Sequence, residues 1–152
     1  MTKFAVSLCF VAALAISGAA VAQTADNATT PAAAQSMSLE LNSAAQTDAG
    51  SCRLTLVARN GSAVATAATA WQVAVFDAQG IVRSILALDF GALPIGKTKI
   101  AVFDLPGRRC DDISRIVVND VAKCETTDGG NDPSACLNGL SASTRTSIDF
   151  GL

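Results

Sequence analysis

Alternating apolar and polar positions are clearest over residues 71–106, WQVAVFDAQGIVRSILALDFGALPIGKTKIAVFDLP. Trp71, Val73 and Val75 alternate with Gln72, Ala74 and Phe76, the period-2 pattern of a pleated strand, and no helical stripe competes with it. Asp77-Ala78-Gln79-Gly80 then supplies turn chemistry, because Asp bonds its own backbone and Gly accepts positive φ. A second apolar run follows over 81–90 and stops at GALPIG. A third covers 97–105, with Thr98, Ile100 and Val102 on one face, and Pro106-Gly107 closes it. The simplest arrangement is three strands joined by two antiparallel connections. Three such strands are not stable alone in water, so the flanking segments must cover their apolar face.

The flanks carry the same signal more weakly. Residues 38–42 (SLELN) alternate and predict a first strand. Residues 52–59 predict a second, with Cys52, Leu54 and Leu56 inward and Arg53 and Thr55 outward; Asn60-Gly61 is a strong turn signal after it. Residues 62–70 are small and weakly patterned, reading as a loop or an edge strand. Beyond the centre, residues 113–121 around Ile116-Val117-Val118 predict a sixth strand, and 144–150 a last one with Ile148 and Phe150 inward. Between these lies a polar loop, then Pro133–Leu137 as one helical turn, with Asp132 as its cap and Asn138-Gly139 ending it. About seven strands separated by turns predict an all-β, antiparallel sandwich.

The first 22 residues read as a removable export signal. Lys3 precedes an apolar run, and Ala20-Val21-Ala22 offers a cleavage site ahead of Gln23. The apolar run is short for a membrane span, and Cys9 lies inside it. Residues 23–37 (QTADNATTPAAAQSM) lack aliphatic bulk and read as a flexible tether, leaving 38–152 as one domain. Without Lys3 there are ten basic against thirteen acidic residues, a net charge of −3, too mild to point to nucleic acid or an anionic membrane.

Several of these turns resemble a known class. Arg59-Asn60-Gly61, VAVFDAQG over 73–80 and LPIGKT over 93–98 resemble the V-x-N-x-G turn, the hydrophobic-Asp-x-x-Gly hairpin and the L-x-P-G-x-(S/T) turn of immunoglobulin-like modules in bacterial exported proteins. Ile95, between Pro94 and Gly96, departs from the adjacent Pro-Gly of that pattern. The chain also resembles an uncharacterised family of exported alphaproteobacterial proteins, with LDFGALP at 88–94 and FDLPG at 103–107 ahead of Cys110. The resemblance covers residues 52–124. It implies an immunoglobulin-like fold and transfers no activity.

Cleavage after Ala22 leaves Cys52, Cys110, Cys124 and Cys136, an even set in a chain bound for an oxidising compartment, so two disulfides are expected. Of the three connectivities, Cys52–Cys110 with Cys124–Cys136 is favoured: one bond ties an early strand to the end of the central stretch, the other encloses a polar loop. In the loop-entropy picture they contribute about 4 and about 3 kcal/mol. Metal binding is disfavoured, because there is no C-x-x-C and no histidine, and no cofactor is expected.

Without His or Tyr, the common acid–base groups and the Ser-His and Cys-His triads are missing. Carboxylates remain at Asp89, Asp111-Asp112, Asp120 and Asp128 with Asp132; two of them converging would suit a small carboxylate-dependent hydrolase, although most sit at turns. The 128–132 stretch DGGND has oxygens for Ca²⁺ but lacks EF-hand spacing. Arg108-Arg109 beside Cys110 is a candidate partner contact, and Trp71 is expected to pack on a disulfide in the core.

The expectation is therefore a periplasmic or secreted, non-catalytic binding or structural module. It would meet another periplasmic protein through a sheet edge. A hydrolase is the alternative, and the tail 147–150 a candidate for donation to another chain.

Overall fold

The computed structural model describes residues 36–152. The expected leader (1–22, with Cys9) and residues 23–35 of the expected tether lie outside the described residues; Met37, at the tether's end, instead begins β1 and is 1% exposed. Eight strands form: β1 Met37–Gln46, β2 Cys52–Asn60, β3 Thr66–Asp77, β4 Val82–Asp89, β5 Thr98–Leu105, β6 Ile113–Thr126, β7 Ser141–Thr144 and β8 Asp149–Gly151. A 3-10 turn covers Cys110–Asp112, and α1 covers Pro133–Leu137. The strands make two four-stranded sheets, ordered β5-β2-β1-β7 and β4-β3-β6-β8.

The sheets enclose one core. Leu39, Leu41, Leu54 and Leu56 come from one sheet and Trp71, Val73, Val75, Leu88 and Ile116 from the other, each at most 1% exposed. Burying side chains of this size stabilises by about 1.5–3 kcal/mol apiece. The inward set expected for β2 is the buried one, and Arg53 is exposed as expected. Phe90 stands edge-to-face on Trp71 and on Phe103, with ring centroids 5.5 Å apart in both pairs, so aromatic packing links β3 to β5 across the layers.

Four expectations are corrected. The three central runs are not consecutive neighbours: β3 and β4 form a hairpin, but β5 crosses to the other sheet and pairs with β2. The reason lies in residues 90–97. Phe90 and Leu93 donate to the Thr69 and Thr66 carbonyls of β3, after which the Gly96 N–H donates to the Asn60 carbonyl and the Asn60 N–H to Lys97, at the end of β2. The linker is thus handed from one sheet to the other.

Residues 62–70 are not simply a loop or an edge. From Thr66 they belong to β3, a central strand flanked by β4 and β6. Its alanines carry little pattern, and the Thr66 and Thr69 hydroxyls bond each other in the interior.

The last strand is two strands. The Thr144 hydroxyl accepts the Thr146 N–H and the Thr146 hydroxyl accepts the Ile148 N–H, both at 3.1 Å, and these turns carry the chain from one sheet to the other. Finally, the sheets are mixed, since β7 runs parallel to β1 and β8 parallel to β6. The tail 147–150, a candidate for donation to another chain, here pairs through β8 with β6 of its own chain, with Ile148 and Phe150 buried.

Candidate functional site

Two turns hold the ends of the edge strands in place. Asn60 is fully buried at the end of β2 and uses its whole side chain. Its Nδ2 donates to the Val64 and Leu93 carbonyls, both at 2.8 Å, and its Oδ1 accepts the Ser62 N–H and hydroxyl. The next residue must be Gly, because a Cβ on Gly61 would lie 2.7 Å from the Ser36 carbonyl oxygen. At the β3–β4 hairpin, Asp77 accepts the Gln79 and Ile81 N–H groups and the Arg83 guanidinium, and Gly80 takes φ +75°. The Ile81 N–H, then Arg83 and Gln79, hold the Asp77 carboxyl below its ordinary value against the opposing effect of burial.

Two sheets have four free edges, and they differ. β7 and β8 are short, with 4 and 3 residues. β4 is longer, but its register with β3 shifts at Val75/Phe76, and the Arg108 Nη2 donates to the Arg83 carbonyl at 2.7 Å. β5 pairs with β2 without a shift from Thr98–Arg59 to Leu105–Cys52, and no strand among the described residues pairs with its other side.

The outward face of β5 is apolar at its centre. Ile100 is 67% and Val102 56% exposed, and Ile100 lies opposite the half-buried Val57 of β2. Polar residues flank this pair. Asp104 receives Arg53 as a two-pronged pair at 2.7 and 2.8 Å, and Thr98 lies opposite Arg59. The Arg53 hydrogen bonds hold the Asp104 carboxyl below its ordinary value and raise the guanidinium in turn. Long, flat, apolar edges are normally blunted by charge, Pro or a bulge, and the centre of β5 carries none of these on its outward face. Lys99, its one inward-facing charge, is the single device of this kind on the strand.

The residues singled out in the sequence fall elsewhere. Cys52 bonds Cys110 and Cys124 bonds Cys136, the favoured connectivity. Arg108 and Arg109 diverge: the first is half-buried and lies on the β4 edge, and the exposed second pairs loosely with the exposed Asp111 at 3.5 Å. The carboxylates turn to their own backbone. Asp89 accepts from Gly91 and Asp120 from Val121, each at 2.7 Å, while Asp128 takes the Thr126 hydroxyl and Asp132 caps α1 through the Ser134 and Ala135 N–H groups. The Thr126 hydroxyl holds the Asp128 carboxyl below its ordinary value, and the Ser134 hydroxyl, with the Ala135 and Ser134 N–H groups, does the same for Asp132. Among the described residues, no three Cys, Asp or Glu side chains gather in ligating geometry.

Several shallow clefts are present. One of about 340 Å³ lies beside Arg145, Thr146 and Cys110, and another of about 340 Å³ runs between the β4 and β5 edges beneath Leu86, Leu105 and Pro106. No helix among the described residues is long and apolar enough to cross a membrane.

No protein-family model matches the chain, and no curated protein does. The fold is similar to that of IrmA from Escherichia coli, with a TM-score of 0.54 at 11% identity, over 70% of this chain and 90% of that one. At that identity the likeness concerns the fold alone.

The β5 edge is the feature that sequence reading missed. Residues 98–105 offer two alternating faces, Thr98/Ile100/Val102/Asp104 and Lys99/Ala101/Phe103/Leu105, each with apolar members. Only the partner strand decides which one meets water.

Proposed function

We propose that this chain is an exported, immunoglobulin-like β-sandwich, stapled by two disulfides, that serves as a non-catalytic binding or structural module in the periplasm or outside the cell. It engages a partner by strand addition at a sheet edge. The single observation carrying this reading is the open edge of β5, with its unpaired backbone groups and exposed Ile100 and Val102. The two disulfides support export, because such bonds persist in oxidising compartments. The carboxylates support a non-catalytic role, since turns and caps occupy those named above.

A photo-reactive residue placed at Ile100 in the exported protein tests the reading. Cross-links should form from Ile100 and not from Ile85 on β4 or Leu137 on α1, which are also exposed. Equal cross-linking from all three positions would remove the edge from the argument.

A further inference from the structure

We propose that the occupant of the β5 edge is the β5 edge of a second copy of this chain, paired antiparallel about a two-fold axis through Ala101. The proposal rests on the edge-docking reading above and names its partner.

Backbone direction sets the possible registers. The Asn60 N–H donates to the Lys97 carbonyl, so Lys97 faces β2, and alternation along an antiparallel ladder turns the N–H and C=O groups of Thr98, Ile100, Val102 and Asp104 to the open side. A symmetric dimer must therefore pair even-numbered residues with even-numbered ones, which also keeps outward faces outward. Centring on Ala101 sets Thr98 opposite Asp104 of the other copy and Ile100 opposite Val102. This register pairs all four open-side residues. Centring on Ile100 leaves Asp104 opposite Gly96 in the turn, whereas centring on Val102 sets Ile100 against Asp104.

Side chains agree with the same register. Across the new seam the middle rows read Val57, Ile100, then Val102 and Thr55 of the second copy, so the exposed apolar residues cover one another. The outer rows read Arg59, Thr98, then Asp104 and Arg53 of the second copy. Each Asp104 carboxylate, already on its own Arg53, would thus lie beside the second copy's Thr98, with that copy's Arg59, which has no ion-pair partner among the described residues, one strand further on at about 10 Å across the sheet, within the reach of its long side chain. On the inward face Lys99 meets Phe103 of the second copy and Ala101 meets Ala101, small enough for close approach. On the outward face apolar meets apolar, and each carboxylate has one guanidinium on the adjacent strand of its own copy and a second two strands away in the other. The contact is self-complementary and closed, so it ends at two copies.

Sedimentation of the oxidised mature protein, from micromolar to about 1 mM, tests this. A reversible dimer is expected. Val102→Lys should abolish it while leaving the circular-dichroism spectrum unchanged, because Val102 is exposed in the single chain. Thr98→Asp, facing Asp104 of the other copy, should weaken the dimer about three- to tenfold, and Thr98→Arg should tighten it. These signs oppose the effects on folding, since Thr98 lies beside Arg59 within one chain. Ala101→Cys should give a disulfide-linked pair with the native disulfides intact by mass, because directly opposite non-hydrogen-bonded residues lie about 4.5 Å apart.

A dimer that survives Val102→Lys, or that forms without the Ala101→Cys cross-link, overturns the proposal. So does a monomer throughout the concentration range. If that monomer is still captured through Ile100 by a different protein, the edge-docking reading stands and this one falls.

Discussion

The indole N–H of Trp71 donates to the main-chain carbonyl of Cys136 at 3.1 Å, joining the middle of β3 to a helix held by a disulfide. Both residues are buried, with Trp71 fully so. The sequence predicts that Trp71 packs on a disulfide; the link observed is a hydrogen bond to the main chain of Cys136, one of the two cysteines of the second bond. Trp71→Phe should cost about 1–3 kcal/mol, mainly by leaving that acceptor unpaired, and Trp71→Ala about 3–5. Urea unfolding with an unchanged m-value checks both.

Removing the Cys124–Cys136 bond should loosen the helix before the sheets. The Cys124–Cys136 bond closes a short loop, with a sequence separation of 12, against 58 for Cys52–Cys110. Paired alanine replacements should cost about 3 and about 4 kcal/mol respectively, and only the first should shift Trp71 fluorescence to the red in the folded state. Thermal melts and emission spectra separate the two.

Asn60 should tolerate no substitute. Asn60→Ala leaves the buried Ser62 N–H without its acceptor and takes one of the donors from each of the Val64 and Leu93 carbonyls, at a cost of about 1–3 kcal/mol. Asn60→Asp should be worse at neutral pH, where a buried carboxylate replaces two donors, and should recover as pH falls and the acid is protonated. Denaturation at pH 5 and pH 8 shows the difference.

Acid should weaken the wild type through Asp77. Its folded carboxyl titrates below the ordinary 3.8, so its contribution is present above that value and is lost as pH falls through the lower folded one. Glu40, held down by Arg145 and Asn42, and Asp104, held down by Arg53, act in the same direction. Asp77→Asn should flatten the stability profile below pH 4, which acid titration of the unfolding midpoint measures.

Arg108 should matter to association more than to folding. Its guanidinium covers the Arg83 carbonyl on the β4 edge, near the exposed Ile85. Arg108→Ala should change stability by no more than about 0.5 kcal/mol, yet quicken aggregation on heating, read by light scattering.

Much of the architecture was legible in the chain itself. Period-2 alternation marked Cys52 to Arg59 and Trp71 to Asp77 as strands, and the Asp77-to-Gly80 turn could be read because Asp and Gly perform that job locally. The even set of cysteines foretold two bonds, and the favoured pairing is the observed one. All of these are short-range signals: a few neighbouring residues carry the whole cause.

What only the tertiary structure decided was partnership. Residues 98–105 do not record that β5 leaves β4 for β2; the buried side chain of Asn60 and the carbonyl of Leu93, 33 residues apart, enforce it. That choice turns Ile100 and Val102 to water and Phe103 to the core, and so creates the open edge. A strand's alternation shows that it has two faces, but which one is buried depends on what the distant chain places against it.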